Sequence, residues 1–207
     1  MMQPHSSGSI EVICGPMFSG KTEELIRRVK RAQIAKQRIQ IFKPALDTRY
    51  AEQEVVSHSA ASMRAEPVAT AVEILMRLKD STRVVAIDEV QFFDEQICMV
   101  VTKLAARGCR VICAGLDLDF RARPFGSMPE LLALADEVTK IHAICTVCGA
   151  SAVRSQRLAN VKTQVLLGET DAYEARCRAH YQLDEGEEQA LLPLDEEKRR
   201  VASELPN

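Results

Sequence analysis

The sequence predicts an α/β protein: a doubly wound, largely parallel sheet bearing a phosphate-binding loop, followed by a small unit held together by metal. Three observations predict it. Short apolar runs alternate with helix-periodic stretches from residue 10 to about residue 144. Residues Gly15 to Thr22 fit G-x-x-x-x-G-K-[ST] at the junction of the first apolar run and the first periodic one. Where the alternation stops, Cys145, Cys148, Cys177 and His180 fall into two tight pairs. Strand–helix alternation is the signature of a sheet covered on both faces.

The elements follow in order. "IEVIC" (10–14), "IQIF" (39–42), "RVVAID" (83–88), "RVICAG" (110–115) and "VTKIHAI" (138–144) read as strands, nearly continuous apolar runs suited to burial on both faces. Residues 21–35, 67–79, 94–107 and 128–136 read as helices, with Pro67 and Pro129 in first turns and Gly108 closing the third. Residues 1–9 read as a disordered tail and 10–141 as a nucleotide-binding domain. Residues 142–185 read as a metal-held unit too short for a core of its own, and 186–207 as a charged tail.

Composition narrows the classes. The chain has 207 residues and a formal charge of −2, so it carries no cationic excess with which to wrap nucleic acid. No run approaches the eighteen or so apolar residues of a membrane span, and "MMQPHSSGS" lacks the basic start and apolar core of a secretion signal. Of seven cysteines, Cys14, Cys98, Cys109 and Cys113 sit in apolar runs as small core residues. Reduced thiols and a cytoplasmic location are expected.

The loop Gly15-Pro16-Met17-Phe18-Ser19-Gly20-Lys21-Thr22 is a phosphate cradle. Its glycines let successive N–H groups turn inward on an anion, and the helix behind it adds its positive end. Lys21 would reach the β/γ-phosphates, and the Thr22 hydroxyl would ligate Mg²⁺. Such a loop needs a carboxylate at the end of a neighbouring strand. "VVAIDEVQFF" supplies Asp88 for the metal, with Glu89 one residue on to aim a nucleophile or accept its proton. At neutral pH a glutamate, with a reference pKa of about 4.3, is already ionised. A water nucleophile would make an ATPase or GTPase, and a bound hydroxyl a kinase. "TKIH" lacks the aspartate of a guanine-reading motif, which disfavours GTP.

The set Cys145-x₂-Cys148 and Cys177-x₂-His180, with residues 149–176 between the pairs, suits a closed tetrahedral Zn²⁺ site. Four protein ligands leave no open position, so the metal is structural, and roughly 10–16 kcal/mol of binding free energy can fold a segment that lacks a core. His142 is an alternative fourth ligand.

Taken together, "GPMFSGKT", "DTRY" (47–50), "IDEVQFF" (87–93), "GLDLDFRARPFG" (115–126), "CTVC" with "CRAH" and "GETDAY" (168–173) make residues 10–181 resemble the type II thymidine kinases. This is the cytosolic thymidine kinase family of animals and many bacteria. The resemblance implies a RecA-like domain, a small zinc-bearing domain whose "lasso" loop covers the nucleoside, and a homotetramer. It implies transfer of the γ-phosphoryl of ATP, with Mg²⁺, to the 5′-hydroxyl of thymidine, giving dTMP, with deoxyuridine a further substrate and dTTP a feedback inhibitor. Under it Glu89 matches the catalytic base, and Asp88 the Mg²⁺-linked aspartate. Met17, Phe92, Leu116, Phe120 and Phe125 match the wall around thymine, with the base stacked on Phe120. Arg157, Gln164, Leu166, Gly168 and Tyr173 fall in the lasso. Three positions depart from the family pattern: Val90 and Leu118 stand where glycine is usual, and Gln164 where a branched apolar residue is.

A rival reading is a nucleotide-switched module whose zinc ribbon grips nucleic acid. Residues 145–180 hold Lys162 and several arginines but also Glu169, Asp171 and Glu174, a poor match to a polyanion. No nucleic-acid or membrane partner is expected.

Overall fold

The computed structural model describes residues 8–45, 54–56, 62–158 and 172–183. The "DTRY" segment, Gln164, Leu166 and Gly168 lie outside them, as do nearly all of the two tails.

Strands β1 (Ser9–Cys14), β2 (Ile39–Pro44), β5 (Glu66–Val68), β6 (Val84–Ile87), β7 (Arg110–Gly115) and β8 (Glu137–Lys140) form one parallel sheet in the order β5-β2-β6-β7-β1-β8. Period-two alternation splits each strand between two apolar layers. On one face Ile13, Ile41, Val84, Ala86, Ile112 and Ala114 pack under helix α1 (Lys21–Ile34), through Leu25, Ile26, Val29 and Ala32. On the other, Val12, Phe42, Val85, Ile87, Val111 and Cys113 meet α2 (Ala71–Arg77), α3 (Ile97–Ala106) and α4 (Met128–Leu134). The α/β architecture with helices on both faces is as the sequence predicts. Cys14, Cys98, Cys109 and Cys113 are buried, and burial pushes the Cys113 thiol up to about 12. They are inert core residues.

Two expectations are corrected. Pro67 opens no helix: it lies in β5 on the sheet edge, opposite Lys43, where a strand tolerates a residue with no N–H to donate. The helix starts four residues later, and the Asp94 carboxylate accepts the Ala71 N–H at 3.0 Å. The last predicted strand is two: β8 closes the large sheet, while β9 (Ala143–Ile144) pairs with β10 (Ser151–Ala152) beyond it. Pro129 and Gly108 stand where expected, the latter with φ of 83° just past α3.

Beyond β8 the described chain consists of β9–β10 and the antiparallel pair β11 (Arg154–Arg157) and β12 (Tyr173–Arg176). The apolar cluster here is only Ala143, Cys145, Ala152, Ala175 and Cys177. A further short pair, β3 (Glu54–Val56) with β4 (Ser62–Arg64), stands apart from the main sheet.

Glu11 is the polar exception inside β1. Its carboxylate takes Arg28 of α1 at 2.6 Å and Arg110 of β7 at 2.5 and 2.9 Å. Arg28 also donates to Glu24 and Thr139, both at 2.8 Å, and faces Glu137 at 3.2 Å. Two buried charges of opposite sign are thereby matched, the arrangement a low-dielectric interior requires. Among the described residues no helix is long and apolar enough to cross a membrane.

Candidate active site

The cradle joins β1 to α1 through backbone that ordinary residues adopt reluctantly. Gly15 has φ of 149°, Phe18 63° and Gly20 87°, with Gly20 in the left-handed form at the helix start. Gly15 also lacks room for a side chain, since a Cβ there would lie 2.1 Å from the Ile141 carbonyl oxygen. The Pro16 carbonyl accepts both the Ser19 hydroxyl and the Lys21 ammonium at 2.8 Å, folding the loop over itself. Lys21 is buried, and burial lowers its pKa, opposed by Glu89, Asp88 and Asp117 around it. Phe18 projects from the tip and Met17 is half-buried.

Asp88 follows β6. Its strand is not adjacent to β1, as the sequence suggested, because β7 lies between them. Two sheet spacings, roughly 10 Å, are bridged by α1, whose second residue Thr22 brings its hydroxyl 3.4 Å from Asp88 Oδ2. Asp88 Oδ1 accepts the Glu89 N–H at 3.0 Å. Burial, then the neighbouring Glu89 charge, raises the Asp88 pKa. A dry carboxylate facing a hydroxyl and a cationic loop is short of positive charge, which is the condition a divalent cation would relieve.

Glu89 itself has φ of 50° and ψ of 40° and caps the 3-10 turn Val90–Phe92. The positive φ thus falls on Glu89 and not on Val90, and Leu118 is not among the described positive-φ residues. The two missing glycines leave that backbone unstrained, and the strain sits on the acidic residue, as it does at many functional positions.

Gln91, buried in the same turn, was not singled out from sequence. Its Nε2 donates to Glu89 Oε2 at 2.6 Å, and its Oε1 accepts the Leu116 N–H at 3.0 Å. Ser155 was also missed. It is buried on β11, and its Oγ accepts the Met17 N–H at 3.0 Å, so the small unit touches the cradle directly. Neither carries a sequence signal of its own, since glutamine and serine are ordinary residues until the fold brings them to a site.

The aromatic residues divide. Phe92 and Phe125 meet edge to face, centroids 5.4 Å apart. Phe120 is flanked by cations, with Arg157 3.6 Å and Arg121 5.0 Å from its centroid. Arg157 also donates to the Tyr173 hydroxyl at 3.1 and 2.6 Å, while the Tyr181 hydroxyl donates to the Phe120 carbonyl at 2.6 Å. Phe120 therefore ties β11 and β12 to the loop after β7. An open cleft of about 540 Å³ separates Phe18 and Ser19 from Ile144 and Tyr173.

Cys145, Cys148, Cys177 and His180 converge, with one ligand atom from each within 4.8 Å of the rest. The Cys148 and Cys177 sulfurs are 3.8 Å apart, and His180 Nδ1 lies 3.2 Å from the Cys177 sulfur and 3.9 Å from that of Cys145. A tetrahedral Zn²⁺ with Zn–S near 2.3 Å would give edges of about 3.8 Å between sulfurs. Burial raises the Cys145 thiol, but backbone N–H groups of Cys177, Val147 and Cys148 outweigh it and bring it down to about 6. The four residues can hold a metal such as zinc. His142 is not among them: its ring nitrogen pairs with the Ser151 hydroxyl at 2.7 Å.

A parallel sheet with this loop after one strand and an Asp-Glu pair after another, one strand removed, defines a P-loop nucleotide-dependent phosphotransferase. The family model Thymidine kinase matches residues 8–181, and the chain belongs to that family. It is an ATP-dependent nucleoside kinase that phosphorylates thymidine, an activity that serves DNA synthesis.

Proposed function

We propose that the chain is a type II thymidine kinase that passes the γ-phosphoryl of ATP to the 5′-hydroxyl of thymidine, giving dTMP. The observation that carries this reading is the sequence of contacts at the loop: Lys21 buried on Pro16, Thr22 against Asp88, and Glu89 next in the chain. The cradle N–H groups and Lys21 would bind the phosphates of ATP. Thr22 and Asp88 would hold Mg²⁺, which would neutralise charge on the phosphates. Glu89 would align the acceptor hydroxyl and take its proton late in a loose transfer. Met17, Leu116, Phe92 and Phe125 would flank the base. Phe120, covered by Arg157, would act chiefly by anchoring the strands that carry Arg157 and Tyr173.

In this reading residues 10–141 bind nucleotide, and 142–185 form a cover folded by a structural zinc. The enzyme works as a cytoplasmic homotetramer and accepts deoxyuridine. It is inhibited by dTTP, whose phosphates would enter the cradle while its base takes the acceptor position. The test is transfer of labelled phosphate from ATP across a panel of nucleosides, with Glu89→Gln as control. Thymidine should take label, and Glu89→Gln should lower turnover roughly 10²–10⁴-fold with ATP still bound. Failure of every nucleoside to accept label would refute the reading.

A further inference from the structure

Gln91 donates to one oxygen of Glu89 and is itself held on every side. The orientation of its amide is fixed by chemistry: the Leu116 N–H can only donate, so the atom it meets must be the carbonyl oxygen, which leaves the NH₂ for Glu89. The reverse orientation would set two donors together at Leu116 and two acceptors together at Glu89. Space is shaped to match. A Cβ on Gly115 would lie 2.5 Å from Gln91 Oε1, and one on Gly126 2.5 Å from the Gln91 carbonyl oxygen. Glycine at 115 leaves room for the Gln91 amide, and glycine at 126, with φ of 49°, leaves room for the backbone of residue 91.

We propose that Gln91 is a positioning residue for phosphoryl transfer. Its amide pins Glu89 Oε2 and leaves Oε1 to face the acceptor hydroxyl. The proposal rests on Glu89 being the group that aligns that hydroxyl. A carboxylate on a flexible stem has two equivalent oxygens and several rotamers, and pinning one oxygen selects one arrangement of the other. The support runs back through Leu116 to the end of β7, so a rigid strand sets the aim.

Two variants separate the donor from the shape. Gln91→Met keeps length and loses both hydrogen bonds. Gln91→Glu keeps an acceptor for Leu116 and puts a carboxyl oxygen where the NH₂ donates; assayed at alkaline pH, where adjacent carboxyls do not share a proton, it answers the question even if Gln91→Met does not fold. Both should lower kcat roughly tenfold to a hundredfold, with KM for ATP within about twofold. In a Glu89→Gln background, the second change should alter the residual kcat by less than about twofold, because a residue acting through Glu89 has nothing left to act on. Full turnover in either single variant would overturn the proposal, as would an equal fall in both backgrounds. A collapsed Glu89→Gln beside an intact Gln91→Glu would sink the Gln91 role alone. Normal turnover in Glu89→Gln would sink the base assignment and this proposal with it.

Discussion

Stripping metal from Cys145, Cys148, Cys177 and His180 should unfold residues 143–158 and 172–181 while the six-stranded sheet persists. The apolar cluster of this unit holds three alanines and two of the ligand cysteines. With Ala172 counted, four buried methyls at about 0.8 kcal/mol each and the buried Tyr173 ring at about 2 kcal/mol supply roughly 5 kcal/mol, against roughly 10–16 kcal/mol for a structural zinc site. Without the metal, the β9–β10 and β11–β12 pairs have too little apolar surface to stay formed. Cys148 is exposed, which gives a chelator access. Hydrogen exchange read by mass spectrometry should show amides of β10, β11 and β12 moving to the rates of unstructured chain. Those of β1, β6 and β7 should hold. The Met17 N–H should lose protection as well, because its acceptor Ser155 belongs to β11. Added zinc should restore all of it. Unchanged protection over 143–158 and 172–181, in protein shown by elemental analysis to be metal-free, would refute the reasoning.

Other outcomes follow from particular contacts. Ser155→Ala leaves the Met17 N–H without its partner. It should cost about 1–3 kcal/mol of stability and raise KM for ATP, and a KM equal to that of the parent would count against any link between strand and cradle. Gly15→Ala forces a side chain against Ile141 at φ of 149°. A cost of about 3 kcal/mol or more, or roughly 6–12 °C in Tm for a chain of this size, is expected, and a melt within about 2 °C of the parent would contradict it. Glu24 is held down to about 2 by Arg27 and Arg28, from an ordinary value of 4.5. Its folded pKa is depressed, so its contribution is present above about 4.5 and lost as pH falls toward 2. Glu24→Gln should therefore melt below the parent at pH 7 and converge with it near pH 2; a constant difference across that range would argue against the ion pair.

How much of this could be read from sequence depends on whether the signal was local. The cradle, the Asp88–Glu89 pair and the two cysteine pairs were legible because each packs several unusual residues into a few positions. The four ligands converge as their spacing requires. The three-residue strand β5 was not legible: at that length periodicity cannot separate strand from helix, and Pro67 fits an edge strand as well as a first turn. The place of β7 between β1 and β6 is a fact of topology that no local pattern encodes. Glu11 draws no role from sequence, since its partners Arg28 and Arg110 are 17 and 99 residues away. The contact of Phe120 with Arg157 lies across 37 residues of chain (157 − 120), beyond the reach of any local pattern. Gln91 and Ser155 acquire meaning only from what they touch.

The ties of Arg28 have a mechanical corollary. Helix α1, which follows the cradle, is fastened, two turns in, to a carboxylate of the central strand and to the edge strand beside it. Sliding or turning that helix would strand a dry guanidinium, a penalty far above thermal energy. The half proposed to grip the donor is therefore an anvil. Any opening that admits reactants would then fall to elements outside this helix and the strands that hold it.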